Sequence, residues 1–286
     1  MSFVANPAQV AAFKKRCTEP SYSQEGLVIE FTTTRDFIQN ILPPTLEPAD
    51  EPTGLINISL WQSNVCGDFE LSSVSVRCRA DGVEGYWVLH LIVSEVPAIT
   101  WGRETWGEVK KEGKARLVSN GTRKYAYSER AGVRLIEMDA DFVGCEPGGP
   151  ETVEWYDFEV KAFPNAKGNG LEADPKLITI KVVDENAIRY VGKGKLTLRG
   201  TLFDPLHTIP ILDVGDFTYS TGTSNWAVQS ERRLCAADDY LPFFVLRHYD
   251  DVRRLQVGSG LESLQCEDKE DTQGSESRIW TRSYRS

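Results

Sequence analysis

Histidine is scarce in this chain of 286 residues: His90, His207 and His248 stand alone, and no H-x-x-H or H-E-x-x-H pair occurs. Catalytic zinc sites are built from such clusters, so we expect no metal, and nothing points to another cofactor. His90 in "YWVLHLIV" and His207 in "DPLHTIP" read as structural. A G-x-S-x-G elbow is also missing, which removes that route to a serine nucleophile. The six cysteines (Cys17, Cys66, Cys78, Cys145, Cys235, Cys266) contain no C-x-x-C pair and read as free thiols. No run approaches the ~20 apolar residues of a membrane helix. The start, "MSFVANPAQVAAFKKRC", has neither the basic opening nor the apolar stretch of a signal peptide, so the expected setting is the cytoplasm, away from membranes. Basic residues are outnumbered, 32 Lys and Arg against 42 Asp and Glu, and a net charge of -10 argues against nucleic acid as a partner. "YVGKGKL" lacks the spacing of a phosphate loop, and Gly192 and Gly194 read as a bulge or a close backbone approach.

What the chain has is β pattern. Asn6 and Pro7 cap and open a short helix, and Thr33, three residues before Asp36, starts another that Pro43 and Pro44 end. From "GLVIEF" through "LINISLWQ", "SVSVRCR", "GYWVLHLIVS", "VRLIEMDADFV", "TVEWYDFEVKAF", "KLITIKVV", "GKLTLRGTLF" and "VGDFTYST", β-branched and aromatic residues alternate with polar ones. "ARLVSN" and "RKYAYS" flank Asn120-Gly121, a hairpin turn. About ten strands and few helices make the fold class mainly β, a barrel or sandwich in a single domain over residues 1–256. Residues 257–286 form a polar tail expected to be mobile, whose end could dock through Trp280 and Tyr284.

One stretch poses a chemical question. In "WGRETWGEVKKEG" two lysines, Lys110 and Lys111, are adjacent. By composition alone this is a solvated charge run. A lysine at its ordinary pKa of ~10.4 is protonated at neutral pH and cannot attack a ketone; desolvation and a neighbouring cation together can free the amine.

The residues around the pair decide how that question is framed. "GVEGYWVLHLIVSEVPAITWGRETWGEVKK" resembles the core segment of the acetoacetate decarboxylases, in which E-P-A-I leads through G-R-E to a lysine pair. "FTTTRDFIQNILPPTLEP", "WYDFEVKAFPN" and "GKGKLTLRGTLFDPLHTIPILDV" resemble further segments of that family in the same order, so that residues 26 to 225 are covered. The resemblance implies a cone-like closed β-barrel with a few short peripheral helices, enclosing an apolar cavity, in a homo-oligomer. It implies that Lys110 forms a Schiff base with a small-molecule oxo acid and that Lys111 acts on it from beside it. Glu70, aligned across a one-residue gap, matches the family's upstream glutamate. The family's first-strand arginine falls at Gln24, its Tyr-Pro at Glu108-Val109, and Arg103 and Glu104 match its G-R-E, reading first as an ion pair. Gln24, Glu108 and Arg103 are thus the expected substrate-binding positions.

Three functions follow from this reading. The first is a Schiff-base lyase decarboxylating a β-keto acid in secondary metabolism, one larger than acetoacetate, since Gln24 and Glu108-Val109 depart from the family's pattern and speak against acetoacetate itself. A second is an aldolase, dehydratase or cyclase using the same lysine, and a third is a noncatalytic barrel that binds an apolar ligand. Because adjacent side chains of a strand point to opposite faces, Lys110 and Lys111 need not share one cavity.

Overall fold

The computed structural model describes residues 3–248 and 277–283. In chain order the elements are α1 (Pro7–Thr18), β1 (Tyr22–Thr32), α2 (Arg35–Ile41), β2 (Glu47–Pro48), β3 (Thr53–Ser63), β4 (Phe69–Ala80) and β5 (Val83–Val93). They continue with α3 (Val96–Thr105), β6 (Lys110–Glu112), β7 (Lys114–Asn120), β8 (Arg123–Arg130), β9 (Val133–Asp141), β10 (Glu151–Lys161), β11 (Lys176–Leu198), β12 (Asp213–Arg233), α4 (Ala237–His248) and β13 (Arg278–Arg282). The fold is mainly β, as expected, and no helix among the described residues is long and apolar enough to cross a membrane.

Local signals account for most of these ends. Asn6 accepts from the Gln9 amide and Gln9 returns the bond, a capping box with Pro7 opening the helix. The second helix is capped by Thr34, whose hydroxyl accepts from the Phe37 amide, and not by Thr33, which is buried and donates to the Pro210 carbonyl. Two runs expected as separate strands, "KLITIKVV" and "GKLTLRGTLF", meet in the single strand β11, which takes in the first and ends at Leu198 within the second. Its glycines mark close approach to β9: a Cβ on Gly192 would lie 2.5 Å from the Asp141 carbonyl, and one on Gly194 2.3 Å from that of Asp139.

Hydrogen bonding runs in the order β10, β5, β4, β3, β1, β12, β11 and returns to β10, which closes a circuit of seven strands. Closure is uneven. β10 pairs along its whole length with β11 but meets β5 only at Asp157 with Tyr86 and Phe158 with Trp87. Gly85 permits this approach, since a Cβ there would lie 2.3 Å from the Tyr156 carbonyl.

The far half of β11 leaves the circuit and carries a second layer, β9, β8 and β7, on one side and β13 on the other. The main core lies on the face with Leu27, Ile29, Ile56, Ile58, Val74, Trp87 and Phe158, together with Leu135, Ile136 and Met138 of β9. Burying side chains of this size contributes about 1.5–3 kcal/mol each. Residues 278–282, within the stretch expected to be a mobile tail, form β13, and Trp280 packs against this core; Tyr284, Cys266 and residues 257–276 lie outside the described residues.

Candidate active site

The face opposite that core turns inward. Trp106, just past α3, stacks on Trp226 of β12 at 5.8 Å and packs against Ile178, Ile180 and Val182 of β11, so it reaches across the circuit. α3 was not anticipated as a helix; Pro97 in its first turn was the available signal. After it the chain forms β6, parallel to β5 with Leu91 opposite Lys110 and Ile92 opposite Lys111. That register gives Lys110 the face of Leu91, which packs with Tyr22, Trp61, Phe69 and Val109, and gives Lys111 the other.

Lys110 is only 5% exposed, which rules out a solvated run. Its Nζ lies 2.8 Å from Glu108 Oε2 and 5.8 Å from the centroid of the Phe69 ring. Glu108 is buried too, and among the described residues its Oε2 has this ion pair but no hydrogen-bond donor. Gly102 of α3 makes room for both: a Cβ there would lie 1.8 Å from Glu108 Oε2 and 2.6 Å from Lys110 Nζ. Beyond Phe69 an aromatic row continues, Phe69 stacked on Trp61 at 6.3 Å and Trp61 edge-on to Trp226 at 5.8 Å. Burial pushes the Tyr22 phenol up, with Cys66 and Glu108 adding to the effect.

Lys111 does not sit as the second cation of the pair. It crosses to the other side of β6, where its Nζ lies 3.4 Å from Asp204 Oδ1. Arg130 Nη1 donates to Asp204 Oδ2 at 2.8 Å and His90 Nε2 lies 3.2 Å from Oδ1. Burial opposes ionisation of Asp204, yet His90, Arg130 and Lys111 outweigh it and hold the carboxyl well below the usual range. Burial also lowers His90 against the pull of Asp204.

Glu70 likewise faces away from Lys110. Phe69 and Leu71 take the inward side of β4, so Glu70 projects outward to pair with Arg116 and to line a surface pocket of about 470 Å³ with Glu95, Glu112 and Glu129. The one-residue gap that aligned it is the reason, because a slip of one residue along a strand changes its face. Arg103 lines a separate depression with Ile99, Phe163 and Phe244, and among the described residues it forms no ion pair with Glu104. Gln24 does face inward, donating through Nε2 to Asp184 Oδ2 at 2.7 Å.

A family model described as acetoacetate decarboxylase (ADC) matches residues 2–229. The chain belongs to the acetoacetate decarboxylase family. An acetoacetate decarboxylase of Chromobacterium violaceum is 28% identical over 232 residues, 71% of this chain and 87% of that protein. Among solved structures, the acetoacetate decarboxylase of Legionella pneumophila has a TM-score of 0.64 at 20% identity over 74% of this chain and 88% of its own. The enduracididine biosynthesis enzyme MppR, complexed with the condensation product of pyruvate and imidazole 4-carboxaldehyde, has a TM-score of 0.60 at 17% identity over 75% and 88%. At those identities the two structures speak for the fold.

Several residues of the inward face in this acetoacetate decarboxylase-family chain escape sequence reasoning. Asp157 and Glu159 of β10 and Asp184 of β11 alternate with apolar residues, a pattern that reads as solvent side out. Here Trp155, which shares the side of Asp157 and Glu159 on β10, packs against Ile178, Ile180 and Val182, the same cluster that the inward Trp226 covers. Burial pushes the Asp157 carboxyl up to about 7, with Glu108 and Asp184 adding to it, and burial pushes Asp184 up to about 6. Gly102 and Asp204 lie within the segments that resemble the family, but only their contacts reveal what they do.

Proposed function

We propose that Lys110 forms a Schiff base with an oxo substrate and that the enzyme is a carbon–carbon lyase of the decarboxylase kind. The observation that carries this reading is a buried, inward amine 2.8 Å from a buried carboxylate, within a matching family segment. The ammonium passes a proton to Glu108, and the neutral amine attacks the carbonyl. Glu108 returns that proton to the departing hydroxyl, so water leaves and a cationic imine remains. In a β-keto acid the electron pair of the bond to the carboxylate moves into this iminium as CO2 departs, giving a neutral enamine. A proton drawn from solvent, delivered by Glu108, adds at carbon, and water then hydrolyses the imine to release the ketone and Lys110 as its ammonium.

Lys111 enters this scheme through its neighbours. Anchored on Asp204, it fixes the three-residue strand β6 and hence the direction of Lys110. The reading is tested by incubation with β-keto acids of graded size and borohydride. A mass increment on Lys110, absent in Lys110→Ala, is expected together with CO2; no adduct with any oxo substrate and full activity in Lys110→Ala would end it.

Glu108 beside the amine also favours a second reading. A carboxylate there can take a proton from the carbon next to an imine, which starts aldol, dehydration or cyclisation chemistry on the same lysine. The condensation product held by the structurally similar MppR supports it. A trapped imine without CO2 selects this second reading.

A further inference from the structure

The inward face holds a second polar group that imine chemistry leaves unused. It forms where β1, β12 and β11 lie side by side: Gln24 is opposite Gly222, which is opposite Asn186, and Ser224 is opposite Asp184. Asp184 and Asn186 are each 7% exposed. Gln24 donates to Asp184 Oδ2 and Ser224 also reaches the Asp184 carboxylate, but among the described residues Asn186 Oδ1 and, on β3, Asn57 Oδ1 are buried and accept no hydrogen bond. Gly26 leaves space between two of these groups, the position of its absent Cβ lying 3.2 Å from Gln24 Oε1 and 3.5 Å from Asn57 Oδ1. Buried acceptors without donors are costly, and two of them on one face of the sheet call for a ligand that brings donors.

The same group is continuous with Lys110. Ser224 accepts from Trp226 Nε1 at 2.7 Å, and Trp226 is the far end of the aromatic row that begins at Phe69 under the Lys110 amine. Away from the Glu108–Lys110 pair its charge is acidic. Asp184 lies close enough to act on Asp157, and among the described residues no Lys or Arg pairs with Asp184. A carboxylate entering here would meet acceptors and like charge, which is how sites reject a ligand. A hydroxyl or an ammonium would find the acceptors it needs.

We propose that Gln24, Asp184, Asn186 and Asn57 recognise the end of the substrate remote from its reacting carbonyl, selecting hydroxyl or ammonium groups there and excluding carboxylate. This rests on the Lys110 imine reading and narrows it to oxo compounds whose distal end carries hydrogen-bond donors. The test uses methyl ketones matched in chain length that end in hydroxyl, ammonium or carboxylate, each incubated with the full chain and borohydride. The readout is the rate of the mass increment on Lys110. Compounds ending in hydroxyl or ammonium should label at least about tenfold faster than their carboxylate partners, a ratio of the size that one unfavourable charge contact imposes. Asp184→Asn, which keeps the shape, should lower the ammonium rate more than the hydroxyl rate, and Gln24→Arg combined with Asp184→Asn should bring the carboxylate compounds forward. If the carboxylate compounds label Lys110 as fast as the others, or if Asp184→Asn lowers the ammonium rate no more than the hydroxyl rate, this inference is overturned and the imine reading stands. Absence of label in every arm overturns the imine reading, and this inference with it.

Discussion

Gly102→Ala adds one methyl group at the most crowded point of the site. The new Cβ would lie 1.8 Å from Glu108 Oε2, 2.6 Å from Lys110 Nζ and 2.7 Å from Lys110 Cδ, where ordinary contact begins at 3.4 Å. The carboxylate must therefore retreat by about 1.6 Å and the lysine by about 0.8 Å, differences between those distances and ordinary contact. Two energies oppose each other. Alanine inside a helix gains about 1 kcal/mol over glycine, whereas overpacking a filled interior costs about 1–3 kcal/mol. The net loss of stability is then about 0–2 kcal/mol, a fall of a few degrees in melting temperature for a chain of this size. Catalysis has no such offset, because displacing reacting groups by about 1 Å costs on the order of 10²-fold in rate. The expected signature is a folded protein with the rate of borohydride labelling at Lys110 reduced about a hundredfold. Arg103→Ala, one residue along the helix on the separate depression, is the control and should label normally. Wild-type labelling by Gly102→Ala would refute the packing of Glu108 and Lys110 against α3.

Three further outcomes can be checked. Asp204→Asn leaves Lys111 and Arg130 without their shared anion and should cost about 3–5 kcal/mol by urea denaturation at pH 7. Because the folded Asp204 titrates below its unfolded value, its stabilisation is complete above pH ~4 and fades as the pH falls, so wild type and variant should converge in acid. Asp184 has the opposite sign: its folded value is about 6 against an ordinary 3.8, so ionisation penalises folding progressively from pH ~4 to pH ~6 and fully above. Asp184→Asn should match wild type at pH 4 and exceed it by up to about 3 kcal/mol at pH 8, at ~1.4 kcal/mol per tenfold; equal stabilities at pH 8 would contradict its burial as an acid. Glu70→Gln touches only the outer pocket, and since outer substitutions change energies by ~0.5 kcal/mol, labelling at Lys110 should stay within about twofold.

The class of fold was readable because alternation of β-branched and polar residues is a local property, repeated strand after strand. Direction is not local. Lys110 and Lys111 could be assigned to opposite faces from their adjacency, but which face turned inward depended on the parallel register of β6 against Leu91 and Ile92. Glu70 failed on the same ground, since a gap of one residue moved an inward position to Phe69. The acidic residues Asp157 and Asp184 were hidden because this interior is partly polar, and a period of two labels polar positions as outer. Asp204, more than ninety residues from Lys111 and His90, becomes their partner only through the packing of the second layer on the circuit.

The narrow contact between β5 and β10 gives the molecule a particular temperature dependence. Elsewhere the circuit is held by long backbone ladders, but here two register pairs suffice, backed by Trp87 and Phe158, both almost wholly buried. This junction therefore leans on apolar contact more than any other. Apolar contact weakens on cooling, while backbone hydrogen bonds do not follow the same course. In the cold the circuit should loosen there first, and amide exchange at Trp87 and Phe158, compared with the β3–β4 ladder at 4 °C and 25 °C, reads that order directly.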